Sequence, residues 1–248
     1  MQHFLSVVIS AYNEEKSLKA GVLEELDGYL RRVDYPWEVL IVDDGSNDKT
    51  AELVEGFISS HKGFRLLREP HRGKGGGVIA GMVKAKGDIV LFTDMDQATP
   101  ITQLEKILPK FDEGYDIVIG SRSGRQGAPV IRKLMAYGFS MLRLLVLRLP
   151  YKDTQCGFKG FTKKASQKIF RRMKIFNERM RTQGASVTAG FDLEILYLAR
   201  KLGLKVAEVG VEWHHKEGTK VNPLKDSWEG FRDLMKVRIN AITGKYKF

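Results

Sequence analysis

Ile89-Val90-Leu91-Phe92-Thr93-Asp94-Met95-Asp96 is the stretch on which the fold turns. A short unbroken apolar run is the pattern of a parallel strand buried on both faces, and open α/β sheets bind ligands beyond the carboxyl ends of such strands. Asp94 and Asp96 stand at that end. Side chains alternate along an extended chain, so carboxylates two positions apart can face the same way and offer hard oxygen ligands to one divalent ion. The same pair could instead cap a helix or solvate a loop, and the rest of the chain has to decide.

Toward the N-terminus the design repeats. Leu5 to Ser10 is a β-branched apolar run that hands over at Ala11-Tyr12-Asn13-Glu14-Glu15 to Leu18, Val22, Leu26 and Leu30 at helical spacing. Val39 to Val42 runs into Asp43-Asp44-Gly45-Ser46-Asn47-Asp48, and Thr50 to Ile58 reads as a helix. A third strand, Phe64 to Leu67, leads to Arg72-Gly73-Lys74-Gly75-Gly76-Gly77 and a helix over Val78 to Ala85. Strand and helix alternating in this way predict a mostly parallel sheet with right-handed crossovers. The glycines read as a strand-to-helix turn, where backbone N–H groups could approach a phosphate with Lys74 adding charge, or as room for close helix packing. No Walker A motif closes the run, and the first strand lacks the Gly-x-Gly-x-x-Gly dinucleotide fingerprint.

Composition narrows the partners. The 248 residues suit one α/β domain, and 41 Lys and Arg against 30 Asp and Glu leave a net charge of +11, which favours an anionic partner. A nucleic-acid binder would need a basic face interleaved with stacking aromatics, and no such pattern is present. One cysteine, Cys156, excludes an internal disulfide and suits a cytosol-facing setting. Met1-Gln2-His3-Phe4 runs directly into strand-like sequence, so no signal peptide is expected, and with no uninterrupted apolar run near the length of a bilayer no transmembrane helix is expected either.

Taken together, Ser10-Ala11-Tyr12-Asn13-Glu14-Glu15, Asp43-Asp44-Gly45-Ser46, Arg72-Gly73-Lys74-Gly75-Gly76 and Asp94-Met95-Asp96-Gln97 resemble the family 2 glycosyltransferases of GT-A fold. The likeness continues through Gly120-Ser121-Arg122, Asp153-Thr154-Gln155-Cys156-Gly157-Phe158-Lys159, Phe191-Asp192-Leu193-Glu194 and Val211-Glu212-Trp213 to Gly218-Thr219-Lys220-Val221. It is nearest to the dolichyl-phosphate (polyprenyl-phosphate) β-glucosyltransferases, with the dolichyl-phosphate mannosyltransferases as relatives.

The resemblance implies an inverting, metal-dependent hexosyltransferase that moves glucose from UDP-glucose, or mannose from GDP-mannose, onto dolichyl or polyprenyl phosphate; the alternative of another class is a non-catalytic module that binds nucleotide sugar or lipid phosphate. It implies a nucleotide-sugar site at Ala11, Tyr12, Glu14, Asp43, Lys74, Asp94 and Lys220, and Mg²⁺ or Mn²⁺ held by Asp94 and Asp96. Many members carry Pro where Ala11 stands, and the mannosyltransferases place a ligand Gln where this chain has Ala98; Gln97, one residue earlier, is carried as a candidate metal contact. Asp96, Arg122, Arg132 and Asp192 are the candidate catalytic residues, the arginines on phosphate and Asp192 either as a base or as the N-cap of a helix to Leu202. A single domain is expected, residues 1–125 serving the nucleotide sugar and 126–248 the acceptor. Ile131 to Leu149 is apolar most of the way round but carries Arg132, Lys133, Arg143 and Arg148, which fits an interfacial helix or a buried one. The tail from Trp228 to Ile239 mixes aromatic, aliphatic and basic residues likewise, so peripheral attachment to the cytosolic face of a membrane is expected.

Overall fold

The computed structural model describes residues 3–122, 130–174, 189–214 and 223–246, with side chains placed for all of these except 130–136, 189 and 223–227. Within them lie β1 (Leu5–Ala11), β2 (Trp37–Asp43), β3 (Phe64–Arg68), β4 (Ile89–Asp94), β5 (Ile117–Arg122), β6 (Lys159–Thr162) and β7 (Val206–Val211). They form one sheet in the order β3-β2-β1-β4-β6-β5-β7. All neighbours run parallel except β6, which is antiparallel to both β4 and β5. Strands on either side of residue 125 thus share one sheet.

Alternation along the strands builds two cores. Val7 and Ile9 of β1 face a layer made by α1 (Glu15–Lys19), α2 (Val22–Leu30), α3 (Thr50–Ile58) and α5 (Leu104–Asp112), whereas Val8 faces the other way. The opposite layer holds α4 (Gly73–Lys84), α6 (Val130–Leu147), α7 (Lys163–Phe170), α8 (Ala189–Lys201) and α9 (Pro223–Ile242). The result is a three-layer α/β/α arrangement, as the alternation of elements predicts.

Two local expectations change. The stripe Leu18, Val22, Leu26 and Leu30 is buried, yet Gly21 at φ +85° breaks it into two helices, a conformation that glycine adopts without steric cost. The glycine run is not a loop but the first turns of α4. A Cβ on Gly77 would stand 2.3 Å from Ser10 Oγ, and one on Gly81 2.3 Å from Val8 Cγ1. Gly77 of the run and Gly81 beyond it let α4 lie against β1, as the close-packing reading expects.

The stretch 131–149 is neither wholly buried nor wholly exposed. Leu147 and Leu149 enter the core, while Tyr137 and Leu145 are 65% and 72% exposed. Arg143 departs from the expectation of a charge facing lipid: it is buried, donating to Thr154 Oγ1 (3.2 Å), Ser140 Oγ (3.0 Å) and the Tyr151 carbonyl. That side chain anchors the connection leaving α6.

Candidate active site

The sheet delivers the predicted residues to one edge. Ala11 ends β1 opposite Asp43 at the end of β2, Ser10 pairs with Asp94 at the end of β4, and Arg122 ends β5 opposite Val211. Antiparallel β6 starts at that edge, with Lys159 opposite Phe92. Parallel pairing with no register slip therefore turns four sequence-distant motifs into one mouth.

At its centre Asp94 and Asp96 are partly exposed, and Asp96 Oδ1 accepts from the Ala98 N–H at 2.9 Å. Gly157 lies against Asp94 so closely that a Cβ there would stand 2.2 Å from Asp94 Oδ2. Burial pushes the Glu14 carboxyl above its ordinary range; Ser17 pulls it back, and the negative charges of Asp96 and Asp94 push it further up. Three carboxylates thus feel one another across the β1 and β4 ends, an excess of negative charge that a cation would relieve.

Asp94 and Asp96 suit a hard divalent ion of the Mg²⁺ or Mn²⁺ kind, which is commonly held by one or two carboxylates together with substrate phosphates. Among the described residues no group of three His, Cys, Asp or Glu side chains is arranged as a complete metal cage. The donor set fits an ion that arrives with a diphosphate. Gln97, at φ +49°, donates its side-chain amide to the Asp94 carbonyl (2.8 Å) and lines a cleft of about 380 Å³ with Tyr29, Pro100 and Ile101. Its amide nitrogen is therefore committed to backbone.

On the β1–β2 side Tyr12 stacks on His71, ring centres 4.0 Å apart. The ring of His71 is held through Nδ1 by Asp44, 2.9 Å from Oδ2, and the Arg72 N–H donates to Asp44 Oδ1 at 2.8 Å. Asp43 is buried and accepts from the Ser46 N–H (3.0 Å), while Ala11 is fully buried and its carbonyl accepts from the Asp44 N–H (2.9 Å). Ala11 thus shapes the floor, and Tyr12 provides the flat, partly open face.

Toward β5 and β6 the site is a web of paired charges. Lys74 forms an ion pair with Asp94. Lys159 has no exposed side-chain surface; its ammonium donates to Asp192 Oδ1 (2.6 Å) and to the Cys156 carbonyl, and lies 5.4 Å from the centre of the Phe92 ring. Asp192 sits in the first turn of α8, three residues past its start, so it is not the N-cap. Burial raises its carboxyl, with Lys159 and then Lys74 pulling it back. Arg122 gives Nε (2.6 Å) and Nη2 (2.9 Å) to Asp153 and stacks 5.8 Å from the centre of the Trp213 ring. Two of its guanidinium nitrogens are thereby engaged. The side chain of Arg132 and the whole of Lys220 lie outside the described residues.

A family model for glycosyl transferase family 2 matches residues 6–170. The chain belongs to glycosyl transferase family 2. Among similar proteins, the dolichyl-phosphate β-glucosyltransferase of Dictyostelium discoideum is 34% identical over 98% of this chain and 76% of its own length. That of Homo sapiens is 30% identical over 98% and 77%. Among solved structures, the mannosyl-3-phosphoglycerate synthase of Rubrobacter xylanophilus superposes with a TM-score of 0.65 at 18% identity, covering 99% of this chain and 76% of that one. The glucosyl-3-phosphoglycerate synthase of Mycobacterium tuberculosis, in complex with Mn²⁺, UDP and glucosyl-3-phosphoglycerate, gives 0.61 at 20%, covering 95% and 80%. The fold is GT-A and the protein is a glycosyltransferase, as the motifs imply.

In this family 2 glycosyltransferase, sequence reading assigned no role to Asp44, His71, Asp153, Gly157 or Lys159, which together hold the ends of the four strands. Asp44, Asp153, Gly157 and Lys159 lie inside the quoted motifs, so position was a signal that function was not. The Arg122–Asp153 pair has a consequence in acid. Burial alone would raise the Asp153 carboxyl, but hydrogen bonds and charge from Arg122 outweigh it and hold the group at about 2. A depressed folded-state value stabilises the fold above the ordinary value of 3.8 and is lost as pH falls through about 2. Asp153→Asn is expected to cost about 2 kcal/mol at pH 7, the deficit shrinking below about pH 4. Urea melts of both proteins at pH 7 and pH 3 measure it, and an equal deficit at the two pH values would contradict the assignment.

Proposed function

We propose that this enzyme transfers a hexose, glucose from UDP-glucose, with inversion to the phosphate of dolichyl phosphate or a related polyprenyl phosphate, at the cytosolic surface of a membrane. The observation that carries the reading is the gathering of Tyr12, Glu14, Asp43, Lys74, Asp94 and Asp96 on one sheet edge, in a chain matched over 98% of its length by a dolichyl-phosphate β-glucosyltransferase. Tyr12 offers the nucleobase a stacking face, Asp43 and Glu14 accept from base or ribose, and Lys74 is placed for the diphosphate. A bound Mg²⁺ or Mn²⁺ would neutralise charge building on the leaving nucleoside diphosphate. Asp94 and Asp96 would hold it.

A phosphate acceptor is already ionised near neutral pH, so attack on the sugar C1 needs alignment more than deprotonation. Asp192, paired to a buried lysine, suits a fixed charge beneath the site better than a free base. Arg122 and Arg132 are the candidates for orienting phosphate, Arg122 through the nitrogen that Asp153 leaves unused. The acceptor's lipid sets the location. Tyr137, Met141, Leu144 and Leu145 of α6 follow helical spacing and are exposed, as are Trp228, Phe231, Ile239 and Ile242 of α9, which packs on α6. No helix among the described residues is long and apolar enough to cross a membrane. Such a face supports lying in the interface, where buried apolar area provides the affinity.

The reaction is tested with labelled UDP-glucose and GDP-mannose, short polyprenyl phosphate in detergent, and Mg²⁺, Mn²⁺ or EDTA. Metal-dependent label in lipid from UDP-glucose is expected; label from GDP-mannose alone would reassign the donor, and none from either would overturn the reading. For the surface, Leu145→Glu is expected to weaken sedimentation with phospholipid vesicles about tenfold, since Leu145 leaves the core unaffected. Unchanged vesicle binding would remove α6 from the interface.

A further inference from the structure

The pairing of Lys74 with Asp94 puts an ammonium on one of the two carboxylates that would hold the cation. Both side chains are about one third exposed, so the pair sits at the mouth and not in the core. Lys74 reaches Asp94 from the first turn of α4, a helix that lies close against β1 at Gly77 and Gly81. A second carboxylate, Asp192, is held in place by Lys159 beneath the same ammonium, and its negative charge acts on Lys74 next after that of Asp94. Lys159 meets Asp192 at Oδ1, 2.6 Å away. Gly157 has no Cβ, and the space a Cβ would fill there is taken by the Asp94 carboxylate as it faces its lysine.

The geometry points to a counterion exchange: Lys74 occupies Asp94 until donor binds, then moves to the diphosphate and Asp192, so that Asp94 becomes a metal ligand only when the nucleotide is present. Lys74 is thus a positioning residue that couples cation binding to donor binding. Asp192 is the seat that receives it, which gives the buried Lys159–Asp192 pair a role. This inference rests on the metal reading proposed above. Binding energy from the diphosphate then offsets the loss of the ion pair, and the cation gains nothing by arriving alone.

The test is calorimetric titration of Mn²⁺ into the whole protein, with and without saturating UDP, for the natural chain and for Lys74→Met, with Lys74→Gln as a second variant and thermal melts confirming that both fold. In the exchange, Mn²⁺ alone binds Lys74→Met at least about tenfold more tightly than the natural chain, the ion pair no longer competing. With UDP present the two differ by less than about threefold. Equal Mn²⁺ affinities without UDP would overturn the exchange while leaving the metal site intact. Absence of Mn²⁺ binding in every arm, UDP included, would overturn the metal reading and the exchange together.

Discussion

Asp96→Asn is expected to lower the transfer rate by about three orders of magnitude while leaving the fold as stable as before. In the proposed reaction the charge lost would be one of two facing a developing diphosphate through a cation, and removing a single preorganised electrostatic contact of this kind commonly costs 10² to 10³ in rate. The amide retains the one structural duty seen for Asp96, since Asn Oδ1 can still accept from the Ala98 N–H. Stability has reason to rise slightly, because Asp96 crowds Glu14. Melting curves and initial rates at saturating metal and donor separate the two effects. A rate within threefold of the natural enzyme would take Asp96 out of the chemistry.

The second large effect is on stability. Lys159→Met leaves Asp192, 15% exposed at the foot of the site, without its hydrogen-bonded cation, and breaking a largely buried pair from one side costs about 3–5 kcal/mol. For a chain of this size that is a fall in Tm of about 6–20 °C. Replacing both partners, Lys159→Met with Asp192→Leu, removes the stranded charge, and most of the loss should be regained. The double variant is expected to bind donor more weakly, because in the proposed exchange Asp192 no longer helps to receive Lys74. A double variant no more stable than Lys159→Met would show that packing around Phe92, not charge, holds this corner.

The first four strands, β1 to β4, were legible because each is a mostly apolar run followed by polar residues or glycine at the hand-over to a helix, the pattern of a covered sheet. Thr50–Ile58 falls where helical spacing puts it. The glycine run misled in one respect: composition marks Gly73 to Gly77 as a loop, but helix propensity is a weak local preference that packing against Ser10 and Val8 overrides. Arg143 misled for a related reason. Its charge suggests water or lipid headgroups, and only the chain's turn after α6 brings the Tyr151 carbonyl and the Thr154 hydroxyl that, with Ser140 of α6, make burial tolerable.

What the sequence by itself determined is the strand–helix alternation, the edge at which the motif residues gather and the residue types displayed there, since hydrophobic period and motif order are properties of the chain. Which of those charges answer one another was decided only by tertiary structure. The partners Lys74 and Asp94, Lys159 and Asp192, and Arg122 and Asp153 lie 20 to 33 residues apart along the chain, Arg122 and Asp153 on either side of α6. Antiparallel insertion of β6 between β4 and β5 brings Lys159 to the mouth and Gly157 against Asp94. No local pattern encodes that insertion, because strand pairing is settled by burial and register across the whole sheet.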